Sequence, residues 1–291
     1  MNALRQAIDR AAARFAEAGI DSARSDAEQL AAHLTGTERG RLALLDSPDG
    51  EFFGRYRAAV AERSRRVPLQ HLTGTAAFGP LTLEVGPGVF IPRPETEAVL
   101  AWATQQQLPA RPLIVDLCTG SGALALALAR HAAKIGLQAR VIGVDNSEAA
   151  LGYARRNAAG TSVELLCADV REPVLLPELH GLVDLLVANP PYVPDDAVVE
   201  PEVAEHDPRP AVFGGPDGMA VIEPVVRLAQ RWLRPGGLFA VEHDDTTSLH
   251  TADMIDRTGS FVDIEARRDL TGRPRFVTAR RCAGLSEPRR D

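Results

Sequence analysis

The run Leu182-Val183-Asp184-Leu185-Leu186-Val187-Ala188 is apolar at every position but Asp184, and Asn189-Pro190-Pro191-Tyr192 follows it directly. Such a run is too short for a stable helix and rich in Val and Leu, so it reads as a strand covered on both faces. Two consecutive prolines end both the strand ladder and any helix entry, because each lacks the N–H group. The tetrapeptide therefore falls at the carboxyl end of a parallel strand, the edge at which open α/β sheets bind ligands.

The chain on either side fits that placement. From residue 113 onward, strand and helix alternate. Strands are expected at Leu113–Leu117, Arg140–Val144, Ser162–Leu166, Leu182–Ala188, Leu238–Glu242, Phe261–Ala266 and Arg275–Ala279. Between them the pattern predicts helices at Ser121–Ile135, Ser147–Asn157, Gly218–Leu233 and Thr247–Arg257. This alternation predicts an α/β, doubly wound, mostly parallel sheet. The short link between the last two strands points to an antiparallel final strand.

Residues 1–75 have a different texture and read as a small helical domain. Leu4, Ala7, Ile8, Ala11, Phe15 and Ala18 recur at helical spacing. Ser25-Asp26-Ala27-Glu28 has the form of a capping box. A longer helix runs from about Glu51 to Arg66 and closes on Arg63, Arg65 and Arg66, which complement its dipole. A docking surface there is the second reading. His71 reads as structural. Residues 76–92 form a β-hairpin linker with turns at Gly79-Pro80 and Gly86-Pro87-Gly88, and residues 93–291 form the α/β domain. Arg93, held between Pro92 and Pro94, reads as a loop brace.

Composition narrows the classes. The formal net charge is −7. A protein gripping many phosphates is usually basic, so direct nucleic-acid binding is not expected. Cys118, Cys167 and Cys282 form no CxxC pair and no metal-ligand spacing, which suits reduced thiols in a cytoplasmic protein with no metal. No signal peptide and no spanning apolar run is evident, so no membrane partner is expected.

The chemistry gathers at the strand ends. Asn189 supplies a side-chain carbonyl, Pro190 a main-chain carbonyl and Tyr192 a flat wall, together a receptor for an amide or aromatic amine. Taken alone, the tetrapeptide reads equally as a rigid turn with Asn189 bonding its own backbone. The strands before it decide between these. The first core strand ends in Asp116 and runs through Cys118-Thr119-Gly120-Ser121-Gly122 into a helix, a loop that brings backbone N–H groups close to a ligand. It is neither a P-loop nor a dinucleotide loop. The second ends in Asp145-Asn146, where an acid can accept from ribose hydroxyls, and the third in Asp169-Val170, where an acid can accept from an adenine amino group.

Asp116, Cys118–Gly122, Asp145, Asp169 and Asn189–Tyr192, in that order, resemble the class I S-adenosylmethionine-dependent methyltransferases, whose fold is a seven-stranded Rossmann-like sheet. Ile91-Pro-Arg-Pro-Glu-Thr-Glu97, Pro68-Leu-Gln-His-Leu-Thr-Gly74, Gly214-Gly-Pro-Asp-Gly218 and Asp269-Leu-Thr-Gly-Arg-Pro-Arg275 resemble one branch of them. That branch is the release factor N5-glutamine methyltransferases, PrmC or HemK. The resemblance implies S-adenosylmethionine as cofactor and peptide chain release factors as protein substrates, methylated on the glutamine of their Gly-Gly-Gln motif. It implies that Asp116 and Cys118, Thr119, Gly120, Ser121 and Gly122 border the methionine part. It places Asp145 and Asn146 at the ribose, and Asp169 and Val170 at the adenine. Asn189, Pro190, Pro191 and Tyr192 would hold the glutamine NH2 group. Members usually carry Gly where Cys118 stands; the expectation is that this position keeps an ordinary φ and a small side chain suffices. Val241-Glu242-His243-Asp244-Asp245 also departs from the usual glycine-containing stretch. An N6-adenine methyltransferase is the first alternative, because an exocyclic amine would fit the same receptor. A non-catalytic cofactor-binding protein is the second.

Overall fold

Short apolar runs separated by amphipathic helices bury their surfaces by stacking as layers. The computed structural model, which describes residues 3–46 and 48–283, follows this rule. Residues 284–291, assigned above to the α/β domain, lie outside the described residues. The chain opens with helices α1 (Ala3–Glu17), α2 (Ala23–Thr35), α3 (Gly50–Ser64) and α4 (Leu69–Thr73). Strands β1 (Thr75–Phe78) and β2 (Leu81–Glu84) pair as a hairpin, followed by α5 (Glu97–Thr104). Then come β3 (Leu113–Leu117), α6 (Ala123–Lys134), β4 (Arg140–Asp145), α7 (Glu148–Asn157), β5 (Glu164–Cys167) and β6 (Val183–Ala188). Short helices α8 (Pro201–His206) and α9 (Arg209–Val212) precede α10 (Ile222–Trp232) and β7 (Leu233–Glu242). Helix α11 (Ser248–Arg257), β8 (Phe261–Arg268) and β9 (Pro274–Arg281) complete it. No helix of the described residues is long and apolar enough to cross a membrane.

The seven-stranded sheet has the order β5-β4-β3-β6-β7-β9-β8. Its first five strands run parallel, and β9 lies antiparallel to both neighbours. β6 is buried along its whole length, as its apolar run requires. Leu185 and Val187 enter one apolar cluster with the α6 leucines, while Leu186 and Ala188 enter another with Trp232 and Phe239. Period-two alternation therefore feeds two cores, one on each face. The exception, Asp184, lies near the opposite end of the strand, where it accepts from Leu113 N at 2.8 Å and from the Arg234 guanidinium at 2.5 Å. The strand order reverses between β3 and β6, whose ends meet at Leu117 and Ala188. That reversal opens a crevice at the carboxyl edge.

The chain divides into two units. One comprises the stretch up to Thr75, Val85–Pro87 and Val199–His206; the other holds the remainder. The helical unit is built around Leu4, Phe15, Leu30, Phe52 and Tyr56. Tyr56 donates its hydroxyl to Ala27 O at 2.8 Å, so its buried polar tip is satisfied. Arg63 does not lie on a surface. It is 3% exposed, and its guanidinium pairs with Asp26 at 2.8 Å and Glu202 at 2.9 Å. Arg66 also reaches Glu202, at 3.3 Å. These two arginines hold α8 within this unit, which removes them as a docking patch; the third, exposed Arg65, pairs with Glu62 one helical turn away.

Several boundaries move for local reasons. The capping box at Ser25 is not used: α2 starts at Ala23, so Ser25 is already helical and receives Gln29 Nε2 at 3.0 Å. The hairpin strands end at Glu84, and residues 85–91 run on without strand pairing. Pro235-Gly236-Gly237 is part of β7 itself. Gly237 passes so close to Val183 O that a Cβ would stand 2.8 Å from it. Arg93 pairs with the buried Asp207 and acts as a brace.

Candidate active site

Because β3 to β7 run parallel, their carboxyl ends share one edge, and five successive strand ends deliver their loops to it. The loop after β3 turns sharply. Cys118 has φ 59°, Gly120 56° and Gly122 86°. The ordinary φ expected at Cys118 is thus wrong: Thr119 N must reach Val144 O at 3.0 Å on the neighbouring strand, and the chain turns left-handed to get there. The Cys118 thiol is pushed well above its usual range, chiefly by burial, so it stays protonated. Gly143 on β4 leaves the space Thr119 needs, since a Cβ there would meet Thr119 Oγ1 at 2.9 Å.

Asp116 is 1% exposed. Its Oδ2 accepts from Thr119 Oγ1 at 2.6 Å and from Ala125 N at 3.1 Å, whereas Oδ1 has no partner. Burial raises its pKa to about 7. Asp145 accepts Gly120 N at 2.8 Å on one oxygen and Ser147 N at 2.9 Å on the other. Each oxygen keeps a lone pair. Burial raises its pKa against those backbone bonds. Asp169 pairs with the Arg171 guanidinium at 2.5 Å, which holds its pKa down to about 2. Asn146 links the last two loops by donating to Asp169 at 3.4 Å.

The loop after β6 is clamped from outside. Val193 N donates to Val212 O at 3.0 Å and Gly214 N to Val193 O at 2.9 Å. A Cβ on Gly214 would stand 2.5 Å from Pro191 O, and one on Gly218 would collide with Tyr192 O. The Gly214–Gly218 motif therefore exists to let two backbones touch. Within the loop, Asn189 Nδ2 donates to Thr96 Oγ1 at 3.0 Å, so its Oδ1 is the end available to a ligand. Tyr192 receives Arg275 at 3.4 Å on its hydroxyl. Burial raises its phenol pKa far from the neutral range.

A cavity of about 480 Å³ opens over this edge. Asp116, Cys118, Thr119, Gly120 and Ser121 line it, as do Asp145, Asn146, Asp169 and Val170, and then Asn189 and Pro191. Gly122, Pro190 and Tyr192 do not. Gly122 turns the chain into α6, where a Cβ would stand 3.1 Å from Leu126. Pro190 is buried between the lining residues Asn189 and Pro191, and Tyr192 packs against the core. Thr96, Phe90 and Phe213 also line the cavity and were given no role from the sequence. Glu242, 1% exposed with one carboxyl oxygen unpartnered, was missed as well. It carries the same mark as the three aspartates, an acid at the end of an apolar strand.

The comparisons with known proteins agree with this geometry. The family described as the PrmC N-terminal domain matches residues 6–74, and a methyltransferase domain matches residues 114–200. A release factor glutamine methyltransferase of Mycobacterium tuberculosis is 72% identical over 282 residues, covering 97% of this chain and 93% of that protein. One from Streptomyces coelicolor is 46% identical, covering 97% and 99%. A 4-amino-L-phenylalanine/4-methylamino-L-phenylalanine methyltransferase of Streptomyces pristinaespiralis is 39% identical, covering 91% of each. With the crevice, the strand-end acids and near-full-length identity in agreement, the chain belongs to the release factor glutamine methyltransferase family of S-adenosylmethionine-dependent enzymes.

Proposed function

We propose that this protein methylates the side-chain amide nitrogen, N5, of the glutamine in the Gly-Gly-Gln motif of peptide chain release factors. The observation that carries the reading is the orientation of Asn189: its nitrogen is engaged by Thr96, and its carbonyl oxygen is the end left for an NH2 group. The cavity residues suit the cofactor. Asp116 Oδ1 is a buried acceptor without a donor, which fits an ammonium group. Asp145 keeps lone pairs for ribose hydroxyls, and Asp169, held ionised by Arg171, offers an acceptor to an adenine amino group. S-adenosylmethionine supplies an electrophilic methyl on a sulfonium.

An amide nitrogen is a poor nucleophile because its lone pair is delocalised into the carbonyl. Asn189 Oδ1 and the Pro190 carbonyl would each take one N–H of the substrate, favouring a more pyramidal nitrogen with its lone pair aimed at the methyl. The methylated nitrogen is cationic and loses its proton readily, so no strong general base is required. Orientation in a site shielded from water supplies the catalysis.

The test is methyl transfer to purified release factor, with mass mapping of the product. One methyl on the Gly-Gly-Gln glutamine is expected. Uptake into nucleic acid instead would replace the substrate assignment. Free 4-amino-L-phenylalanine is the control substrate, because the same receptor would accept an aromatic amine.

A further inference from the structure

Asn157 is the last residue of α7 and does not line the cavity. Its side chain nevertheless joins two separate stretches of chain. Oδ1 accepts from Glu84 N at 2.7 Å. Nδ2 donates to Glu84 O at 3.0 Å and to Ser121 O at 3.0 Å. One side chain thus supplies one acceptor and two donors, and uses all three. At this length only an amide can do so: Asp offers acceptors alone, and Leu offers neither.

Both stretches lead to the cavity. Ser121 stands in the glycine loop, lines the cavity, and is 2% exposed with its Oγ unpartnered. The loop turns left-handed at Cys118, Gly120 and Gly122, so no regular ladder holds its path. Individual bonds hold it instead. Gly120 N reaches Asp145 at 2.8 Å, and Gly122 N reaches Thr119 O at 2.8 Å. Ser121 lies between those two anchors. In a regular helix its carbonyl would accept from the N–H four residues on. That donor, Ala125 N, is taken by Asp116 Oδ2. The carbonyl at the helix entry therefore needs a partner from elsewhere, and Asn157 provides it. On the other side, Glu84 ends β2, and the chain beyond it supplies Gly88, Phe90 and Pro92 to the same cavity.

We propose that Asn157 is a positioning residue for S-adenosylmethionine. It ties the Ser121 carbonyl to the end of the hairpin and so holds the glycine loop in the shape that takes the cofactor. Asn157 itself touches neither cofactor nor substrate. The inference rests on the cavity being the cofactor site, as read above, and is independent of which group is methylated.

The test is calorimetric titration of the full chain with S-adenosylmethionine, well below the melting temperature of every variant. Asn157→Ala should raise the dissociation constant about 10-fold, the equivalent of one hydrogen bond. Asn157→Asp keeps the shape and the acceptor but turns an oxygen toward two carbonyls, so it should bind no better than Asn157→Ala. If Asn157→Ala does not fold, Asn157→Asp carries the comparison. Arg156→Ala breaks the neighbouring ion pair to Glu84, 2.9 Å long, without touching the loop, and should leave the dissociation constant unchanged. A purely structural role for Asn157 would lower the melting temperature and leave the dissociation constant at the wild-type value, which would overturn the proposal. Equal weakening by Arg156→Ala would overturn it too, because the hairpin contact and not the Ser121 carbonyl would then be responsible. Asp145→Ala, run in parallel, separates the two ideas. If it binds as wild type, the cofactor site itself is misplaced; if it weakens binding while Asn157→Ala does not, only the role of Asn157 is wrong.

Discussion

Cys118 carries a side chain where the backbone turns left-handed, at φ 59°. That conformation costs a non-glycine residue roughly 1–2 kcal/mol. Cys118→Gly should therefore hold or raise the melting temperature while leaving cofactor affinity intact. Cys118→Val, branched at Cβ, should lower it clearly, and a thermal melt of both variants checks the pair. Asn189 governs a different quantity. Asn189→Ala should cut kcat by about 100-fold or more, as loss of a transition-state-orienting group does, and change cofactor affinity little; calorimetry beside steady-state kinetics would show it. At this scale, legibility depended on how local the signal was. Asp116, Asp145 and Asp169 could be read because each follows its own apolar run. Thr96 could not, because the amide it meets lies 93 positions away. The φ of Cys118 was misread for the same reason: Val144 on the next strand sets it.

Among the elements, the Asn189–Tyr192 loop and the Gly214–Gly218 loop act as one body. Gly218 has φ 76°, and its missing Cβ is the space Tyr192 O occupies. Gly218→Ala should destabilise the protein by about 1–2 kcal/mol through φ alone. It should also push Tyr192 outward, so kcat should fall further than cofactor affinity; a denaturant titration and kinetics on the same variant would separate these effects. The sequence displayed the glycines but not what they approach, since a close contact between backbones leaves no mark in hydropathy. Strand positions were legible to within a few residues, because burial on both faces forces continuous apolar runs. Helix starts were less so: Ser25 has the form of a cap, yet α2 already begins at Ala23.

For the whole molecule, the buried acids set a pH response. Burial raises Glu242 from 4.5 to about 8 and Asp116 from 3.8 to about 7. Between each pair of values the folded state holds a proton that the unfolded chain has released. Their contribution is thus fully present below pH 4 or so and is lost as pH rises through 7 and 8. Melting temperature should fall between pH 5.5 and 8.5, and Glu242→Gln should flatten that fall; a scan at several pH values measures both. The mostly parallel sheet and its antiparallel last strand followed from the alternation with helices, but the ownership of Val199–His206 did not. That octet leaves the loop carrying Asn189, is claimed by Arg63 and Arg66 of the helical unit, and returns at Asp207, held by Arg93. The chain is therefore not modular at a single junction. Anyone exchanging its amino-terminal part should carry the octet along with it, because Glu202 draws both of its cations, Arg63 and Arg66, from that part.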